Sequence, residues 1–203
     1  IYLLTNKYDD ALEYYMKQKE FLEKENQKES IGRCLGNIGM IFFRQGDYVK
    51  AMEYYKNALE ISQKTGSKKH MGAAYTNMSA MLMNQGKYKE AEKNLLRVQE
   101  IYKELDDKKG LGIVQGNLGT IYYYLGDYGK AKSLYEEKLI ISEKIGYKRG
   151  ISFSLNYLGV INKQLGDFKK ALEFYEKRVK LCDELNDENG KSYTLGNIGS
   201  IYM

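Results

Sequence analysis

Apolar and small residues recur along this chain with two nested periods. Within a short window they follow helical spacing, and the whole window then returns every 40 residues. With Gly32 as position 1, Leu35, Ile38, Gly39 and Phe42 take positions 4, 7, 8 and 11, which is one face of a helix. The frame Asn37-Ile38-Gly39, Gly46-Asp47-Tyr48 and Ala51 returns as Asn77-Met78-Ser79, Gly86-Lys87-Tyr88 and Ala91. It returns again as Asn117-Leu118-Gly119, Gly126-Asp127-Tyr128 and Ala131, and as Tyr157-Leu158-Gly159, Gly166-Asp167-Phe168 and Ala171. Half copies stand at the two ends, Asn6-Lys7-Tyr8 with Ala11 and Asn197-Ile198-Gly199. A fixed period of this size predicts a solenoid, whose units bury their apolar faces by stacking on one another.

Each unit reads as two helices. The first, helix A, is expected to end at Gly46, Gly86, Gly126 or Gly166, where a left-handed residue follows the last turn; Asn6 takes that place in the first half copy. Helix B follows with Tyr48, Ala51, Tyr55 and Leu59 on its apolar face, and with their counterparts through Phe168, Ala171, Tyr175 and Val179. The small residues Gly39, Ser79, Gly119, Gly159 and Gly199 are expected to face the alanines, with the tyrosines filling gaps between units. Short polar loops are expected at 65–69, 105–109, 145–149 and 185–189. Gln115 and Asn162 break the apolar pattern at positions 4 and 11, which calls tight packing there into question.

Composition refines this picture in three ways. No apolar run reaches the roughly 18–20 residues that a membrane-crossing helix needs, and no charged-then-apolar leader is present. Cys34 and Cys182 lie in different units without metal-ligand spacing, so we expect buried thiols in a reduced, cytoplasmic setting. His70, the one histidine, shares its repeat position with Ser30, Gly110, Gly150 and Gly190, so it reads as a surface loop residue. No metal site and no cofactor are expected.

The pattern Leu/Ile-Gly at positions 7–8, aromatic at 11, Gly at 15, Tyr at 17, Ala at 20 and Tyr at 24 resembles the tetratricopeptide repeat. The 40-residue period, with "ALEIS" and "LIISEKIG" in a lengthened helix B, resembles its long-repeat subclass. That subclass includes kinesin light chains, polarity adaptors that hold G-protein regulators, and bacterial peptide-sensing regulators. "GRCLGNIG" and "LGDYGKA" are similar to the polarity-adaptor pattern. The resemblance implies an all-α fold, a right-handed superhelix (α-solenoid) of antiparallel helix pairs. One array is expected over 1–203, with a half repeat 1–30, repeats 31–69, 70–109, 110–149 and 150–189, and a half repeat 190–203. Both ends cut a helix A, so a fragment of a longer protein is expected.

Function is sought on the other side of helix A. Positions 2, 6, 9 and 13 lie within about 60° of one another, opposite the core stripe, and the resemblance makes that face the lining of a concave groove. The first units place Arg33, Asn37, Met40 and Arg44 there, then Ala73, Asn77, Ala80 and Asn84, then Ile113, Asn117, Thr120 and Tyr124. The fourth gives Phe153, Tyr157, Val160 and Gln164, and the last half Tyr193, Asn197 and Ser200. Asn37, Asn77, Asn117 and Asn197 share position 6, and asparagine is a poor helix former that propensity does not favour there four times. A side-chain amide matches one peptide unit's N–H and C=O, so such a ladder suits the backbone of an extended peptide. Related long-repeat proteins use asparagines at this place for that purpose. Arg33, Asn37, Arg44, Asn77, Asn84, Asn117, Tyr124, Tyr157, Tyr193 and Asn197 are therefore the expected binding residues.

The windows 31–45, 71–85, 111–125, 151–165 and 191–203 hold no Asp or Glu, so the net charge of +5 sits largely on the groove helices. This favours a neutral to acidic ligand. Lysines that alternate with glutamates on helix B, as in Glu53…Lys56 and Glu173…Lys177, read as a solvated face with ion pairs and not as a nucleic-acid patch. The chaperone-tail clamp needs cations at positions 2, 5 and 6 of successive units, and only Arg33 fits. No phosphate loop, nucleophile elbow or carboxylate pair faces the wall, so no catalysis is expected. The expected function is non-catalytic recognition of a protein segment. The rivals are a regulatory segment of a larger signalling protein and a self-association module stacking head to tail through uncapped ends. Those ends are expected to expose Tyr8, Ala11 and Tyr15 on one side and Leu195, Ile198 and Tyr202 on the other.

Overall fold

The computed structural model describes residues 8–203, and every regular element among them is an α-helix. The helices are α1 (Tyr8–Lys24), α2 (Lys28–Gln45), α3 (Tyr48–Lys64), α4 (Lys68–Asn84) and α5 (Tyr88–Glu104). They continue as α6 (Lys108–Tyr124), α7 (Tyr128–Lys144), α8 (Lys148–Gln164), α9 (Phe168–Leu185) and α10 (Glu188–Gly199). Ile1, Tyr2 and the expected turn residue Asn6 lie outside the described residues. The chain divides into two compact units, Ile1–Asp106 and Asp107–Met203.

Two kinds of turn separate the helices, and both use a left-handed residue. Gly46, Gly86, Gly126 and Gly166 adopt φ of 82°, 72°, 80° and 77°, as the sequence predicts. At Gly126 the closure is reciprocal: its N–H donates to the Tyr123 carbonyl and the Asp127 N–H to the Tyr122 carbonyl. The next residue then starts the following helix. Asp47, Asp127 and Asp167 each accept a hydrogen bond from a backbone N–H of the next first turn, so a Gly-Asp pair ends one helix and caps another.

The second turn differs from the expected loops. It is shorter, because Asn26, Gly66, Asp106, Gly146 and Asn186 turn left-handed and Lys28, Lys68, Lys108, Lys148 and Glu188, two residues on, are already helical. Asp107 and Asp187 cap this start, accepting from the N–H of Gly110 and Gly190 at 2.8 and 2.9 Å. His70 is therefore no loop residue. It sits half-buried in the first turn of α4, with Nδ1 3.0 Å from Ser67 Oγ and 3.3 Å from Glu29 Oε1.

In the first unit Leu22, Ile31, Cys34, Leu35, Ile38 and Ala58 form one core, and Leu12, Tyr15 and Phe42 pack against it. The face of α1 expected to be exposed is thus covered: Ala11 is buried and Tyr15 half-buried because α1 lays them on α2. At the other end Leu195 and Tyr202 are exposed and Ile198 is half-buried. In the second unit the core is built on Ala131, Tyr135, Leu158 and Ile161. Both cysteines are buried and unpaired.

At position 8, Gly39, Gly119 and Gly159 meet a tyrosine ring and not primarily an alanine, and Gly199 has nothing within 4 Å. A Cβ at Gly39 would lie 2.7 Å from the Tyr55 ring, and one at Gly119 2.8 Å from the Tyr135 ring. Each ring is laid across the helix of its own repeat, which a larger residue would prevent. The two departures from the apolar pattern are accommodated by burial with partial satisfaction. Gln115 Nε2 donates to Glu137 Oε2 at 2.5 Å and Asn162 Nδ2 to the Leu158 carbonyl at 2.7 Å, while each side-chain carbonyl oxygen lacks a partner among the described residues. Of the exposed helix-B pairs, Glu13–Lys17, Glu60–Lys64 and Glu100–Lys103 form. Glu53–Lys56 and Glu173–Lys177 do not; Lys177 lies over the Phe174 ring instead. Among the described residues no helix is long and apolar enough to cross a membrane.

Candidate functional site

In the first unit α2 and α4 pack against each other, and their outer faces carry the expected residues. Arg33, Arg44 and Asn84 are exposed, and Asn37 and Asn77 are half-buried, on the side away from Leu35 and Ile38. Among the described residues neither arginine is paired with a carboxylate, and the amides of Asn37 and Asn77 make no hydrogen bond. Asn162, which is buried, bonds back to its own helix instead. Asn84 is different, since its Nδ2 donates to the Tyr48 hydroxyl at 3.3 Å and ties α4 to α3.

In the second unit the same face is more aromatic. Asn117 is half-buried with its amide unpartnered among the described residues, and Tyr124 on the same helix is exposed. Tyr157, on α8, is no loose contact residue. It stacks on Tyr135 at 4.6 Å and 10°, packs 4.8 Å from Phe153, and meets Tyr123 edge-on at 6.2 Å. Tyr135 holds the base of this cluster through a 2.6 Å bond with Thr120 Oγ1. Burial raises the hydroxyl pKa of both Tyr135 and Tyr157, keeping them neutral. On α10 Tyr193 is exposed beneath the Arg178 guanidinium, 5.7 Å from its ring centroid. Asn197 Nδ2 is enclosed without a partner among the described residues.

Because the A helices begin earlier than the sequence windows, they include Glu29 and Glu188. They also gain Lys28, Lys68, Lys69, Lys108, Lys109, Lys148 and Arg149, so the helices remain strongly basic. Part of that charge is answered locally, by the surface pairs Lys68–Glu104 and Lys148–Glu184.

Two features went unnoticed in the sequence. The first unit has a cavity of about 720 Å³ between α3, α4 and α5, floored by Met52, Met78, Met81 and Leu82 and rimmed by Lys56 and Arg97. It is not on the asparagine face. The second unit places two cations at position 27 of the repeat, where the first unit has Ala58 and Val98; Lys138 is buried and Arg178 half-buried. Arg178 is satisfied: it donates to Asn156 Oδ1 at 2.8 Å, Thr194 Oγ1 at 2.7 Å and Ser152 Oγ at 3.4 Å. Lys138 is 9% exposed, with Nζ 4.0 Å from the centre of the Phe153 ring, and burial lowers its pKa to about 8. A lysine on helix B reads as solvated; only the apolar residues 80 and 40 positions earlier signal otherwise.

A tetratricopeptide repeat model matches residues 1–65, 70–144 and 116–184. No curated protein matches the chain. Among solved structures, BtubC (BKLC) from P. vanneervenii superposes with a TM-score of 0.80 at 17% identity, over 97% of this chain and 81% of that one. A signal transduction ATPase with numerous domains and a tetratricopeptide repeat sensor, from Pyrococcus horikoshii, gives 0.84 at 20% identity, over 97% of this chain and 30% of that protein. A Rap protein complexed with Competence and Sporulation Factor gives 0.84 at 19%, over 95% of this chain and 54% of that protein. At these identities the structures agree in fold alone, and this chain spans about a third to a half of the last two. The all-α helix pairs, the 40-residue frame and the family match agree: the chain belongs to the tetratricopeptide repeat family.

Proposed function

We propose that this chain is a non-catalytic recognition module that holds an extended peptide or protein segment against the outer faces of its A helices. One observation carries the reading. Asn37, Asn77 and Asn117 recur at one repeat position, reach solvent, and leave their amides unpartnered, where a peptide backbone supplies both a donor and an acceptor. The exposed, unpaired Arg33 and Arg44 favour acidic residues in the ligand near α2. The family and the Rap protein solved with its factor support a protein or peptide partner.

A sensor segment within a larger signalling protein is the second reading. It is supported by the repeat sensor of the Pyrococcus horikoshii ATPase, of which the matching part is 30%. Both readings require a ligand on this face. An unbiased peptide array probed with wild type and with Asn77→Ala/Asn117→Ala tests them. Binders enriched in acidic residues and lost in the double variant are expected, and raised salt should weaken them. Basic binders, or binding that survives the double variant, would overturn the assignment. Sedimentation over a wide concentration range separates a foreign ligand from a second copy of the chain.

A further inference from the structure

The second unit contains a partly open cavity of about 230 Å³ between α6, α7 and α8, walled by Ile113, Ile141, Ile145 and Phe153. Three cations reach it, Lys109, Lys138 and Arg149, and among the described residues no carboxylate lines it. Lys138 is the anchor. Its side chain is nine-tenths buried, and apart from the Phe153 ring its ammonium has no ion pair or hydrogen bond among the described residues. The neighbouring carboxylate, Glu137, is held by Gln115.

The 40-residue register explains the vacancy. Arg178 is the counterpart of Lys138 one repeat on, and its acceptors Ser152, Asn156 and Thr194 correspond to Gly112, Gly116 and Ser154 around Lys138. Two acceptors are thus replaced by glycine; the third, Ser154, donates to the Gly150 carbonyl at 3.0 Å as Thr194 does to that of Gly190, but among the described residues it makes no hydrogen bond with Lys138. The lysine stem lies in the space so opened: a Cβ at Gly116 would be 2.9 Å from its Cδ. One repeat therefore answers its half-buried cation with its own side chains, and the other leaves a buried cation without such partners, facing a largely apolar hole.

We infer that this cavity is a binding site for a carboxylate carried on a short apolar stem, whose oxygens take the place of the missing acceptors. The volume, below the roughly 300–1,000 Å³ of drug-sized sites, suits one small group. An apolar wall selects for the stem, and an unanswered buried ammonium selects for the charge. A free organic acid and a glutamate side chain of a protein share this chemistry. The site does not depend on the asparagine face and stands or falls separately from it.

The test is a titration of the full chain followed by amide chemical shifts, with 4-methylpentanoate, its uncharged primary amide, and the blocked peptide acetyl-Ala-Glu-Ala-amide. Saturable shifts centred on Gly112, Gly116, Lys138 and Phe153 are expected with the acid, and about tenfold or weaker binding with the amide. Binding of the blocked peptide at comparable strength assigns the source as a side chain; binding of the free acid alone assigns a small metabolite. Lys138→Met should weaken the acid about tenfold or more. Gly112→Ser, which restores the counterpart of Ser152 where a Cβ has 3.4 Å of clearance from Ile141, should weaken it several-fold with the fold intact. Equal binding of acid and amide, no saturable shift with either carboxylate, or undiminished binding by Lys138→Met would overturn the inference. If that variant fails to fold, the acid–amide comparison on wild type decides.

Discussion

Replacing Lys138 by methionine should stabilise the protein at neutral pH. Burial takes this ammonium from an ordinary 10.5 to about 8, and nothing but an aromatic ring compensates it. That difference corresponds to about 3 kcal/mol held against the charged form at pH 7, an upper figure because relaxation and water entry reduce it. Methionine keeps the stem and drops the charge, so a gain of about 1–3 kcal/mol is expected. For a chain of this length that is about 3–10 °C in Tm. The sign of the pH dependence is fixed. Below about pH 8 the lysine is protonated in both folded and unfolded chains, and the penalty is fully present. Between about 8 and 10.5 the folded protein has lost the proton that the unfolded chain still binds, so wild-type stability rises relative to the variant and the gain disappears. Thermal denaturation of wild type and variant at pH 7 and pH 10.5, read as the difference between them, measures this. A variant less stable at pH 7, or a difference equal at the two pH values, would refute the reasoning. Arg178→Met is the control, and should destabilise because it strands Asn156, Thr194 and Ser152.

Gly119→Ala should destabilise by about 1–3 kcal/mol because its Cβ meets the Tyr135 ring at 2.8 Å. Gly36→Ala, with nothing within 4 Å, should stabilise by about 0.5–1 kcal/mol; urea denaturation of the pair checks both. Asp127→Ala removes the cap on the Lys130 N–H and should cost about 1 kcal/mol in the same assay. Asp47 is held below the usual carboxylate range by the Lys50 backbone N–H, and Asp167 by Lys170. Their contribution is present above the unfolded carboxylate pKa and lost as pH falls through the lowered folded value, so Asp47→Asn/Asp167→Asn should flatten the acid limb of a stability–pH curve.

The fold was legible because its signals are local and repeated. Glycine at position 15 admits the left-handed turn, and the apolar stripe at positions 4, 7 and 11 needs no tertiary information. The first turn of each A helix was missed because Lys68-Lys69 and Lys108-Lys109 look like loop, although Asp107 and Asp187 announced a cap. The exposure of Arg33 and the half-exposure of Asn37 and Asn77 followed from helical spacing alone. Tyr157 was harder, since its stack on Tyr135 joins residues on different helices and depends on where two rings settle. Lys138 was hardest: the lysine itself carries no sign of burial, which shows in Ala58 and Val98 at the same repeat position and in Gly112 and Gly116 across the pair of helices.

The central claim, that the asparagine face binds and does not fold the protein, is tested most directly by Asn77→Ala and Asn117→Ala measured side by side for stability and affinity. The account predicts stability within about ±0.5 kcal/mol of wild type for each, and an array-selected peptide weakened by about 1 kcal/mol or more. A clear fall in Tm with peptide affinity unchanged would contradict it.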